Sequence, residues 1–209
     1  MLQKTTAPIG LLESAVATRA FPGQANSGDL HLISPFNNGA LVAVVDGVGH
    51  GEEATDAARR AVATLAAHPE EPVIRLVKRC HVALAETRGA VMTLVAIHAL
   101  EATLTWIGVG NVEGMLLRAD PLATPPVERV LLRGGMVGYQ LPLLGASVVS
   151  IGRGDLLILA TDGIRPELLE RQTFSAESAQ SLAERLLANC FKGTDDGLVL
   201  VARFKGLAL

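Results

Sequence analysis

The segment Asp46-Gly47-Val48-Gly49-His50-Gly51 carries residue types and spacings suited to chemistry. It follows the apolar run Leu-Val-Ala-Val-Val at 41–45 and leads into a stretch of helical periodicity that begins at Glu52. A carboxylate at the end of a buried strand is costly unless something compensates it. Gly47, Gly49 and Gly51 allow a ligand to approach the backbone closely, and the helix start beyond them offers unpaired N–H groups to an anion. A tight glycine turn capped by Asp46 would use the same residues. His50 is a candidate catalytic-site residue because it sits inside this loop, with a purely structural role in the loop as the alternative.

Three further acidic positions have comparable settings. Asp162, in Thr161-Asp162-Gly163, follows the apolar run 156–160; Asp195-Asp196 precede the apolar run 198–202; Asp29, in Ser27-Gly28-Asp29, precedes a β-rich run from Leu30. One strand-end aspartate is commonly a turn residue. Four of them, on strands that are neighbours, would converge on one rim. Clustered carboxylates repel one another unless a cation neutralises them. Oxygen-only donors that retain water suit Mg²⁺ or Mn²⁺ better than zinc. Competing signatures are missing: there is no Walker loop and no Gly-x-Ser-x-Gly elbow, and neither Cys80 nor Cys190 is followed by the arginine of a cysteine-phosphatase loop. Glu113 stands where a dinucleotide fingerprint starting at Gly108 needs its third glycine. His31, His68, His81 and His98 are isolated and form no zinc pattern.

The elements that must hold these residues have mostly a period of two. Runs 30–34 and 41–46, separated by Pro35-Phe36-Asn37-Asn38-Gly39, predict a hairpin. Runs 91–98, 102–109 and 112–118 predict an antiparallel meander, and 127–133, 155–161 and 198–204 complete the strands. The last two are apolar at nearly every position, which predicts central strands covered on both faces. Helical spacing marks 52–67, 72–88 and 175–190, the last with Ser175 as N-cap and Glu177 in its first turn. Several strands separate the second helix from the third, so the class is α+β rather than an alternating βαβ fold. The length of 209 residues suits one domain spanning 1–209. At 49% hydrophobic and 3% aromatic, the core must be filled by aliphatic side chains. A net charge of −3, with 18 dispersed basic residues, argues against a nucleic-acid partner and against a nuclease. Two cysteines, no apolar run of about 18 residues and no signal-peptide pattern predict a cytoplasmic protein without a membrane partner.

In this order and spacing, Asp-Gly-Val-Gly-His-Gly at 46–51, Gly-Ala-Val-Met-Thr-Leu-Val-Ala-Ile at 89–97, Ala-Thr-Asp-Gly-Ile at 160–164 and Thr-Asp-Asp-Gly-Leu-Val-Leu-Val-Ala-Arg at 194–203 resemble one family. It is the PP2C class of metal-dependent serine/threonine phosphatases, in its short bacterial SpoIIE/RsbU-like branch. Ser-Gly-Asp at 27–29 is similar to the family's first motif, and the compact length and the 108–118 segment resemble its stand-alone stressosome members. The resemblance implies an α/β/β/α sandwich with two Mn²⁺ or Mg²⁺ ions at one end of the sheets. It implies that Asp46 bridges both ions, the Gly47 carbonyl binds one, and Asp162 and Asp195 hold the other, with Asp29, near the first acidic motif, as a further candidate metal ligand. Many members carry an aspartate, linked to a third ion, where this chain has Asn111. Their phosphate-binding arginine has only Arg19 as a candidate here. The implied reaction is removal of phosphate from phosphoserine or phosphothreonine by a metal-activated water, without a protein nucleophile. The implied partners are STAS-domain proteins of a stressosome. The alternative is a catalytically weak relative acting as a binding module, whose signature would be loss of a core ligand; Asp46, Asp162 and Asp195 are all present.

Overall fold

The computed structural model describes residues 10–24, 26–49, 51–169 and 177–207. His50 and the candidate cap Ser175 lie outside the described residues. The chain runs β1 (Leu12–Arg19), β2 (Asp29–Phe36), β3 (Gly39–Gly47), α1 (Glu52–Ala66), α2 (Val73–Ala83), β4 (Ala90–His98), β5 (Thr103–Val109), β6 (Glu113–Leu117), β7 (Val127–Arg129) and β8 (Leu132–Arg133). It continues through β9 (Ser147–Ser150), β10 (Leu156–Ala160), α3 (Pro166–Leu169), α4 (Ala179–Cys190) and β11 (Gly197–Phe204). One sheet has the order β1-β11-β10-β6-β7 and the other β2-β3-β4-β5-β8, with β9 beside β5.

Strand periodicity explains the layering. On β3, Val42 and Val44 join Val95, Trp106, Leu157, Leu159 and Leu200 in the core between the sheets. Their alternates Leu41, Ala43 and Val45 face outward and pack under Ala57, Ala61 and Leu65 of α1 and Leu76 and Cys80 of α2. On the other sheet, Ile158, Val199 and Val201 pack under Leu182, Ala183 and Leu186 of α4. Both faces of each sheet are therefore covered at the centre, which is why β10 and β11 read as unbroken apolar runs. The result is the helix/sheet/sheet/helix order expected.

Several elements differ from expectation. The three-strand meander does not form: β4 and β5 pair, but β6 crosses to the other sheet and pairs β10 and β7. Run 127–133 splits into β7 and β8, which belong to different sheets. The crossing residue, Val130, is buried between them, its N–H donating to the Gly114 carbonyl. β1, an edge strand that was not anticipated, pairs β11 along its whole length. Helix α2 ends at Ala83, and α4 is capped by Ser178, whose side chain accepts from the Ser181 N–H at 3.2 Å; Glu177 therefore precedes the helix. Among the described residues, no helix is long and apolar enough to cross a membrane.

Candidate metal centre

The two sheets bring their acidic strand ends together at one rim. Asp29 and Asp46 stand directly opposite each other on β2 and β3. Asp162 follows β10, Asp195 and Asp196 precede β11, and these two strands are neighbours. Two glycines permit the approach of the elements. A Cβ at Gly47 would lie 2.0 Å from the Ala54 carbonyl oxygen of α1, and one at Gly163 would lie 1.7 Å from that of Asp196. Only glycine fits where backbone meets backbone this closely.

A buried polar network joins the sheets beneath the rim. The Asp196 carboxylate accepts from the N–H groups of Phe21 at 2.7 Å and Gly28 at 2.6 Å. The Thr161 hydroxyl donates to Asp29 Oδ2 at 2.7 Å and accepts from the Leu198 N–H at 2.9 Å. The Thr55 hydroxyl is within hydrogen-bond reach of the carbonyls of Gly51 (2.9 Å) and Ser27 (3.2 Å), fastening the start of α1 to the loop before β2. The Gly47 N–H donates to the Gly28 carbonyl at 3.2 Å. Sequence reasoning did not assign roles to Thr55, Thr161 or Asp196; only the adjacency of Thr161 and Asp196 to Asp162 and Asp195 marked them.

Above this network, Asp46, Asp162 and Asp195 line a cleft of ≈ 340 Å³, walled by Phe21, Val48, Gly49, Val91, Asn111 and Thr194. Asp29 is buried and lies outside this lining. A larger cleft of ≈ 710 Å³ runs between β1, β2, α1 and α4. It reaches only Asp29 of the four strand-end carboxylates, so the smaller cleft is the chemical one. Arg19 lines the larger cleft, its guanidinium carbon 5.1 Å from the centre of the Phe191 ring, and does not line the acidic one.

The rim carries more negative charge than its neighbours offset. Burial, reinforced by repulsion from Asp29, Asp162, Asp195 and Asp196, pushes the Asp46 carboxyl up to about 8. Burial also pushes Asp29 up to about 7 against the opposing Thr161 hydrogen bond, with Asp196, Asp162 and Asp195 adding repulsion. Asp162 is raised by burial and by Asp195, partly offset by Lys192 and by the Asn111 amide. Asn111 Nδ2 donates to Asp162 Oδ2 at 2.8 Å, and Lys192 Nζ donates to the Asp162 carbonyl at 2.5 Å. Full ionisation of such a set calls for a cation. Among the described residues, no group of three His, Cys, Asp or Glu side chains is gathered tightly enough to hold one alone. Oxygen-only donors of this kind suit Mg²⁺ or Mn²⁺, which retain several waters. Both cysteines are buried; burial pushes the Cys80 thiol up to about 12 and raises Cys190, so neither is a thiolate nucleophile.

Residues 37–205 match the family model of Stage II sporulation protein E (SpoIIE). The chain is 22% identical over 175 residues to phosphoserine phosphatase RsbX of Bacillus subtilis, covering 83% of this chain and 85% of that one. A structure described under the bacterial stressosome, a modular system adapted to control secondary messenger signalling, superposes with a TM-score of 0.82 at 30% identity. The match covers 92% of this chain and 99% of the other. RsbX in complex with magnesium gives a TM-score of 0.84 at 19% identity, covering 98% and 100%. The catalytic domain of the serine/threonine phosphatase PstP with two manganese ions gives 0.70 at 20% identity, covering 93% and 99%.

Proposed function

The chain belongs to the SpoIIE family of PP2C-type serine/threonine protein phosphatases, and on that premise we propose that it removes phosphate from phosphoserine or phosphothreonine of STAS-domain stressosome proteins. The observation that carries the reading is the cleft in which Asp46, Asp162 and Asp195 meet with no cationic side chain among its described lining residues. In this reading Asp46, the Gly47 carbonyl, Asp162 and Asp195 would hold two Mn²⁺ or Mg²⁺ ions, with Asp46 serving both. Asp29, engaged by Thr161 behind the cleft, adds negative charge to the site. When bound, such ions activate water, with a pKa brought toward about 7, and neutralise phosphate charge. The chain's own residues do the rest. Asn111 orients the Asp162 carboxylate, Phe21, Val48 and Val91 wall the cleft, and the glycine-rich loop lets the phosphate approach the backbone. His50 belongs to that loop and is retained as a candidate catalytic-site residue.

The stressosome substrates are supported by the likeness to RsbX and to the stressosome structure at 30% identity. A cytoplasmic location and action as one unit over 1–209 complete the proposal. The test is phosphate release from phosphorylated STAS-domain proteins after chelation, with and without Mn²⁺. Release that requires Mn²⁺ is expected. Tight binding of the phosphoproteins with no release at any Mn²⁺ concentration would replace the enzyme with a binding module.

A further inference from the structure

The acidic cleft must admit a phosphomonoester of nearly two negative charges, yet among the described residues that line it there is no Lys or Arg. Lys192 is tied to the Asp162 backbone carbonyl and already offsets part of that residue's charge, and Arg19 is stacked on Phe191 in the other cleft. Arg88 is placed differently. It precedes Gly89, whose carbonyl accepts from the Val48 N–H at 3.1 Å and so ties the start of β4 to the 46–51 loop. Its guanidinium packs over Gly49, a lining residue of the cleft: a Cβ there would lie 2.8 Å from Nη1 and 3.9 Å from Cζ. Gly49 has φ 94°, so glycine suits this position on both counts. The Nε edge of the guanidinium pairs with Glu53 in the first turn of α1. The Arg88 side chain remains 53% exposed.

Resting on the phosphatase reading, we propose that Arg88 receives the substrate phosphate at the mouth of the cleft, with Glu53 as its resting partner. A guanidinium presents donors along several edges, so Glu53 can hold one while another meets phosphate oxygens. Glu53 orients the side chain and also competes for it. Glu52, Asp56 and Glu86 line the adjoining hollow with Arg88 and add to that competition. The phosphate is therefore gripped only moderately, and the carboxylates favour release of the product.

The test measures inhibition by inorganic phosphate and the KM for para-nitrophenyl phosphate in Mn²⁺-loaded protein. Arg88→Ala is expected to weaken phosphate inhibition and raise KM about tenfold, the scale of one charged hydrogen bond. Its Mn²⁺ affinity by calorimetry should not change. Arg88→Lys should recover part of the loss. Glu53→Gln should tighten phosphate, and that gain should vanish in the Arg88→Ala background, since the coupling runs through the guanidinium. Unchanged inhibition and KM in Arg88→Ala, or a Glu53→Gln gain that persists without Arg88, would overturn the inference alone. Absence of Mn²⁺-dependent hydrolysis by the unmodified protein would overturn it together with the phosphatase reading.

Discussion

Strand β10 carries an aspartate at each end, and the fold treats the two oppositely. Asp155, just before the strand, is buried and saturated. Arg118 Nη1 donates to it at 2.9 Å, and the N–H groups of Ala119 and Gly152 donate at 2.8 and 2.9 Å. Glu128 shares the same arginine. Asp162, just after the strand, receives an Asn111 amide, and among the described residues its carboxylate has no ion-pair partner. It shares its rim with Asp46, Asp29, Asp195 and Asp196. A buried carboxylate that serves the fold is neutralised within the fold. A set left with excess negative charge marks the place where charge must come from outside.

Breaking the compensated end has the largest expected effect. Asp155→Ala strips the partly buried Arg118 of one of its two carboxylates and the Ala119 and Gly152 N–H groups of their acceptor, and a loss of about 3 kcal/mol is expected. Chemical denaturation measures it, and turnover per folded molecule should not change. Asp46→Asn has the opposite character. Turnover should fall by more than about 100-fold, beyond the cost of an outer partner of a metal ligand. The metal-free protein should become more stable, because one buried charge is gone. Near-normal turnover in Asp46→Asn would show that the shared ligand is misassigned.

A third experiment follows stability against pH. The folded-state values of Asp46 and Asp29, about 8 and about 7, lie above the ordinary 3.8. The folded protein therefore holds protons that the unfolded chain has released. The contribution of these groups is fully present below pH ~4 and is lost as pH rises toward about 8. Mn²⁺ at 100 times its dissociation constant should restore about 2.7 kcal/mol near pH 8, whereas Asp155→Ala should gain no special rescue from it. The smallest effect belongs to Asn111→Asp. Adding a charge beside Asp162 in an exposed position should tighten weak Mn²⁺ binding by about threefold, since one exposed carboxylate contributes little. No change in calorimetric affinity would count against Asn111 as the neutral substitute at that position.

Much of this contrast was legible in the residue order. Apolar runs ending in Asp-Gly, or beginning after Asp-Asp, mark the strand ends, because a carboxylate there stands out against fully buried neighbours. Sheets covered by helices were legible from the helical spacing at 52–67, 72–88 and 175–190 and the intervening strands, whereas the four-layer order came only with the family resemblance. Other features were not. β1 reads Leu-Glu-Ser-Ala-Val-Ala-Thr-Arg and shows little alternation, because it is an edge strand partly covered on both faces. Periodicity identified β6 as a strand but carries no information on its partner, and it crossed to the other sheet. Thr161 contacts Asp29, and Asp196 contacts Gly28, across separations of 132 and 168 residues. No local pattern encodes such pairings. Compensation at Asp155 was hidden for the same reason, since Arg118 lies 37 residues away.

The central claim is that the Asp46 rim is completed by cations. Calorimetric titration of Mn²⁺ into chelator-stripped protein, beside Asp46→Asn, tests it most directly. Saturable binding of two ions by the unmodified protein, with that binding lost or greatly weakened in a folded Asp46→Asn, is the predicted result. Equal Mn²⁺ binding by both proteins, or none by either, would contradict it.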